Sequence, residues 1–222
     1  MEQKKNNKKK ILIIVLAVLL VVATIGTTIA WLTRTNSITN SFSVGSFEYP
    51  KTDPTDPTET ISIQSHLYEP SWDPTAAHKL LPGVTFAKDP YVGIGAGSED
   101  AQVYVYVQNN MSNKVYFTLN SGWEAVSGET TAGSANGTYT SGLFKYTAGL
   151  TASSTDDVWT STPVFSSVVI ADNATGTDFE VAQGQSTDII VSSFIHQAKD
   201  GSGDPIADAT ILAAAKEAFH LN

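Results

Sequence analysis

The run Val103-Tyr104-Val105-Tyr106-Val107 alternates strictly between a β-branched and an aromatic residue. Period two sets the valines on one face of an extended chain and the tyrosines on the other, which fits a pleated strand. Shorter runs with the same character recur along the chain. Phe42 to Tyr49 alternates around a bend or bulge at Gly45-Ser46, and Ile61 to Leu67, Val84 to Lys88 and Tyr91 to Ile94 follow. Val115 to Leu119 reads as a hairpin partner of Val103 to Val107 across Asn109-Asn110. Leu143 to Tyr146, Val158 to Thr160, Val164 to Ile170, Phe179 to Val181 and Thr187 to Phe194 complete the set.

Strands this short, separated by Gly, Pro, Asn and Asp, predict an all-β fold, a sandwich or jelly roll. Pro205 to Phe219 is the exception. Its apolar residues Ile206, Ala209, Leu212, Ala213 and Phe219 recur at helical spacing, with proline where an early turn tolerates it. Two polar stretches read as connections. Lys51 to Thr60 carries prolines at 54 and 57 and reads as an extended linker or exposed loop. Ser127 to Gly142, dense in Gly, Ser and Thr, reads as a long mobile loop or a hairpin tip.

The start of the chain has a different composition. Lys4, Lys5 and Lys8 to Lys10 precede an apolar stretch from Ile11 to Val22, which fades through small and hydroxylated residues to Ala30. Basic head, apolar middle and small-residue end form an export signal, cut between Ala30 and Trp31. The alternative is an anchor, since Ile11 to Ala30 meets the length of a membrane-spanning helix. Either way the remainder is placed outside the cytoplasm. The expected organisation is therefore a signal at 1–30, an N-terminal strand segment at 31–50, the linker or loop at 51–60, and a sandwich at 61–222 with its terminal helix.

Removing residues 1–30 takes five Lys and one Glu from 13 basic and 22 acidic side chains, leaving 8 against 21, a net of −13. That field repels nucleic acid and anionic membranes. The chain has no cysteine, so its core rather than disulfides must hold it, and thiolate metal sites are excluded.

Three segments together resemble the TasA/camelysin family of exported bacterial proteins. The first is the signal with Ala30-Trp31-Leu32-Thr33 and Asn40-Ser41-Phe42-Ser43-Val44-Gly45. The second is Leu81-Pro82-Gly83-Val84-Thr85-Phe86-Ala87-Lys88-Asp89-Pro90-Tyr91-Val92, with the valine-rich strand that follows Ser98-Glu99-Asp100. The third is Phe194-Ile195-His196-Gln197-Ala198 and the helix after it. The resemblance implies a jelly-roll-like antiparallel β-sandwich and a secreted structural subunit of biofilm-matrix or cell-surface fibres. It also implies partners: further copies of the chain, a SipW-type signal peptidase, and minor matrix subunits. The implied mechanism is donor-strand exchange, in which the N-terminal strand completes the sheet of the next subunit. The residues of this chain suited to anchor that strand are Phe42, Val44 and Phe47.

Camelysin relatives also raise metallopeptidase chemistry. The histidines, His66, His78, His196 and His220, form no His-Glu-x-x-His pattern, and no two lie within five positions. No catalytic residue, metal site or cofactor is therefore expected. Asp200-Gly-Ser-Gly-Asp204 with Asp208 offers oxygens but lacks the twelfth-position glutamate of a calcium loop, Ile211 standing there. A monomeric adhesin using Trp72, Trp123 and the Ser127 to Gly142 loop is the competing reading.

Overall fold

The computed structural model describes residues 41–72 and 80–221. It is an all-β sandwich of two sheets with a single short helix at the C-terminal end. Eleven strands follow one another along the described chain: β1 (Ser41–Val44), β2 (Leu67–Tyr68), β3 (Thr85–Ala87), β4 (Tyr91–Ile94), β5 (Ala101–Asn109), β6 (Val115–Phe117), β7 (Trp123–Ala132), β8 (Tyr139–Tyr146), β9 (Val158–Trp159), β10 (Ser167–Ile170) and β11 (Ile189–Gln197). The helix, α1, spans Asp208–Ala218. The larger sheet runs β1-β11-β5-β8-β6-β10-β3, with β7 added on β8, and curls into a half-barrel; the smaller is β2-β4-β9.

The alternation of β5 decides which face meets what. Val103, Val105 and Val107 lie in the main core between the sheets, where Phe117 stacks on Phe165 at 4.3 Å and meets Phe144 edge-on at 5.6 Å. Tyr104 and Tyr106 point the other way, onto the face that α1 covers with Ile211 and Ala215. Phe219, at the helix end, stacks on Tyr106 at 5.5 Å. Two ion pairs hold the helix down: Asp208 to Lys145 of β8 at 2.7 Å, and Lys216 to Glu129 of β7 at 2.6 Å. Its last turn closes with His220 at φ +57, the Leu221 amide donating to the Lys216 carbonyl.

Several expectations about elements are corrected. β6 does not pair with β5; it pairs with β10 and β8, while β5 lies between β8 and β11. The Asn109 side chain caps the turn after β5, and the Ser112 and Ala171 amides bond to the Asp178 and Lys114 carbonyls, so the chain after the turn joins β10 and β8 instead of folding back on β5. Of the two readings of Ser127 to Gly142 the hairpin tip holds and the mobile loop does not: β7 and β8 pair antiparallel on either side of the turn between Ala132 and Tyr139. Phe179 to Val181 is no strand: Gly176–Phe179 is a short 3-10 turn whose start Asp178 caps through the Thr175 amide and hydroxyl. Of Ile61 to Leu67 only Leu67 enters a ladder. Helix α1 begins at Asp208 rather than Pro205, since Lys199 and Pro205 form a bridge and the Ile206 amide bonds to Ala198.

Candidate functional site: an edge strand and its anchor

β1 lies at one end of the large sheet and pairs in parallel with β11, in the register Ser41–Ser193, Phe42–Phe194, Ser43–Ile195 and Val44–His196. All other pairs in the fold are antiparallel. Four residues of β1 cover part of the nine of β11; among the described residues, Ile189 to Ser192 has no strand on that side. Val44 leaves 44% of its surface exposed.

The chain turns immediately after β1. Gly45 has φ +128, a conformation side-chain-bearing residues rarely adopt, and a Cβ there would stand 2.9 Å from the Phe47 ring and 3.2 Å from the Gln197 Cβ. From Phe47 onward the segment is fastened to the body. Phe47 packs against the main core, and both Phe47 and Tyr49 meet the ring of His66, at 6.3 and 4.7 Å. His66 is 3% exposed, and its Nδ1 lies 3.0 Å from the Gly93 carbonyl, which can only accept, so Nδ1 carries a proton. Burial pushes its pKa down from the ordinary histidine value, the Gly93 bond opposing in part. The Glu48 amide donates to Ser98 Oγ at 3.0 Å, and the Gly95 amide donates to the Glu48 carbonyl at 2.7 Å.

Asp157, beside β9, completes the anchor. One carboxylate oxygen accepts from the Lys51 amide, the Thr52 amide at 2.8 Å and the Thr52 hydroxyl at 2.9 Å; the other accepts from the Ala96 amide at 3.1 Å. Burial works to raise the Asp157 pKa, yet these hydrogen bonds outweigh it and hold the group below its ordinary value. The Trp159 ring lies over Gly93, so closely that any Cβ at 93 would stand 2.4 Å from it, and its Nε1 donates to the Thr52 carbonyl at 3.0 Å. Lys51 to Thr60 is thus a folded loop. Thr52 and Thr60 bridge, Asp53 accepts from Thr55 and Asp56, and Asp56 accepts from Thr58.

The structure separates the three residues singled out from the sequence. Phe42 and Val44 belong to the docked strand, at the register positions of Phe194 and His196, whereas Phe47 lies beyond the bend on the anchored side. Ala30 and Trp31 fall outside the described residues, as does His78. His66, Asp157 and Ser98, which do most of the anchoring, carry no sequence signal: Asp157 is 106 residues from Lys51.

Residues with chemical potential elsewhere are occupied structurally. No group of three or more metal-ligating side chains converges among the described residues. His196 is buried in β11, with Nδ1 2.8 Å from the Gln197 carbonyl. Asp200 accepts from the Ser202 and Asp204 amides, and Asp208 is taken by Lys145. Asp156 turns to Ser153 and Thr155, away from its neighbour Asp157. Trp123 is 7% exposed, with its Nε1 on the Thr162 carbonyl, and Trp72 lies under the Lys88 ammonium at 4.5 Å. Lys88 in turn pairs with buried Glu69 at 2.8 Å. Burial pushes the Glu69 pKa up, with Lys88 opposing.

Comparison with family models, with curated proteins and with solved structures finds no match. Among the described residues no helix is long and apolar enough to cross a membrane.

Proposed function

We propose that this chain is an exported, non-catalytic structural subunit of TasA/camelysin-like extracellular fibres, matured by a SipW-type signal peptidase after Ala30 and assembled by exchange of its N-terminal strand. The observation that carries the reading is the placement of β1: a short parallel strand on a sheet edge, joined to the anchored body by a glycine bend. An edge strand offers unpaired backbone groups to another chain, and strand addition gives main-chain hydrogen bonding with side-chain alternation to set register. The sequence resemblance in the three segments quoted above points the same way. The strongly acidic surface suits a protein outside the cell that has no nucleic-acid partner. The adhesin reading is weaker, because Trp123 is spent inside the fold.

Protein beginning at Trp31 tests the proposal. Filaments seen by electron microscopy, and lost when residues 31–49 are deleted, are the expected result. A monomer that persists at every concentration, salt and pH would overturn it.

A further inference from the structure

The seam between the docked strand and the anchored body is two residues wide. Val44 is the last residue paired with β11, while Phe47 is already packed on the core and Glu48 is held through both its amide and its carbonyl. Only Gly45 and Ser46 lie between, and both are exposed. The Pro-containing loop that follows supplies no pivot, since Asp157, the Thr52–Thr60 bridge and the Asp53 and Asp56 turns fix it.

We infer that Gly45-Ser46 is the hinge about which β1 leaves its own β11 and pairs with the β11 of a second copy, and that Gly45 sets the balance between the self-docked and exchanged forms. This rests on the fibre reading and adds to it the pivot and the residue that governs it. Exchange preserves every ladder pair from Ser41–Ser193 to Val44–His196, so those pairs contribute little to the difference between the two forms. What differs is the hinge, together with the effective concentration that favours pairing within one chain. In the self-docked form the hinge requires a φ of +128, which side-chain-bearing residues rarely adopt, and a Cβ there would stand 2.9 Å from the Phe47 ring of the same chain; the Gln197 contact belongs to β11 and goes with it in either form. A hinge that opens toward an extended path drops that requirement. A side chain at position 45 therefore penalises the self-docked form selectively, and a longer hinge relieves it.

The experiment uses protein from Trp31 onward, in three forms: unaltered, Gly45→Ala, and a variant with two glycines inserted after Ser46. Polymer and monomer are measured by sedimentation at matched concentration. Gly45→Ala is expected to raise the polymer-to-monomer ratio roughly tenfold, the scale of confining a non-glycine residue to such a backbone. The insertion is expected to lower the ratio. Should Gly45→Ala fail to fold, the insertion alone decides: an unchanged or raised ratio overturns the hinge assignment. If unaltered protein assembles and Gly45→Ala assembles equally well or less, the hinge is wrong while the fibre reading stands. If neither protein leaves the monomeric state, the fibre reading falls and the hinge with it.

Discussion

Two edges of the large sheet, the branch strand β7 and the end strand β1, solve the same problem in opposite ways. β7 is ten residues long and bonded on one side to β8 alone, a length of free edge that invites aggregation. It is defended by a register shift between Ala125 and Thr130, by Gly128 at φ +82, and by Glu129, which the helix residue Lys216 ties down within that shift. A bulge and an anchored charge keep a foreign strand from aligning. β1 has neither device. It is four residues long, uncharged, partly exposed, and parallel, and its connection to the body is a glycine bend. The contrast separates an edge guarded against partners from one that is closed only by its own chain.

Removing residues 31–44 is expected to have the largest effect on this contrast. Assembly should vanish, while the melting transition of the body shifts little, because among the described residues the ladder loses only the four β1 pairs. A truncated protein that still forms filaments would place the joint elsewhere, with β7 the first candidate. Next comes Lys88→Met, which leaves the Glu69 carboxylate buried without its partner and should cost about 4 kcal/mol, read from denaturant unfolding. Lys88 follows β3 and touches neither β1 nor β7. Assembly per folded molecule should therefore be unchanged, and a change would show that the edges answer to global stability.

Asp157→Ala should cost roughly 2 kcal/mol, the range for hydrogen bonds to a charged group, and should quicken tryptic cleavage after Lys51 as the anchor loosens. Acidification acts on the same anchor. His66 has a depressed pKa in the folded protein, so its contribution to stability is complete above its ordinary value of 6.5 and is lost as pH falls through the lower folded value. Cleavage after Lys51 should accelerate over that window in the unaltered protein and lose this component in His66→Gln. The Asp157 carboxylate, whose pKa is held below its ordinary value, contributes fully at neutral pH and loses that contribution only as pH falls into a more acid range than that of His66. The smallest effect is expected of Glu129→Gln: less than about 1 kcal/mol in stability, with a slow rise in lateral clumping of filaments seen by light scattering as the β7 edge loses its guard.

The sheets and the helix were legible because they are written in local alternation. Val103 to Val107 announces its two faces, and the face pattern is realised with valines in the main core and tyrosines under α1. Where the outcome rests on distant partners, local reading failed. The Asn109 turn looks like a hairpin until Ser112 finds Asp178, and the Ser127 to Gly142 stretch, rich in Gly, Ser and Thr, leaves loop and hairpin tip open until the backbone pairing of β7 with β8 decides for the hairpin. The candidate site divides the same way. Phe42, Val44 and Gly45 could be read as a strand with a bend. The anchor could not, since His66 and Asp157 act through contacts that no spacing in the sequence reveals.

The absence of cysteine allows the central claim to be tested without background. Ser41→Cys in one preparation and Ser193→Cys in another occupy facing positions of the β1–β11 ladder, and strands in register bring such pairs within disulfide reach. The two proteins, each beginning at Trp31, are mixed, allowed to assemble and oxidised. Strand exchange predicts a disulfide-linked dimer of one chain of each kind, dependent on assembly and absent when Ser41→Cys is mixed with Thr131→Cys on β7. Filaments that form without that cross-link would contradict exchange of β1.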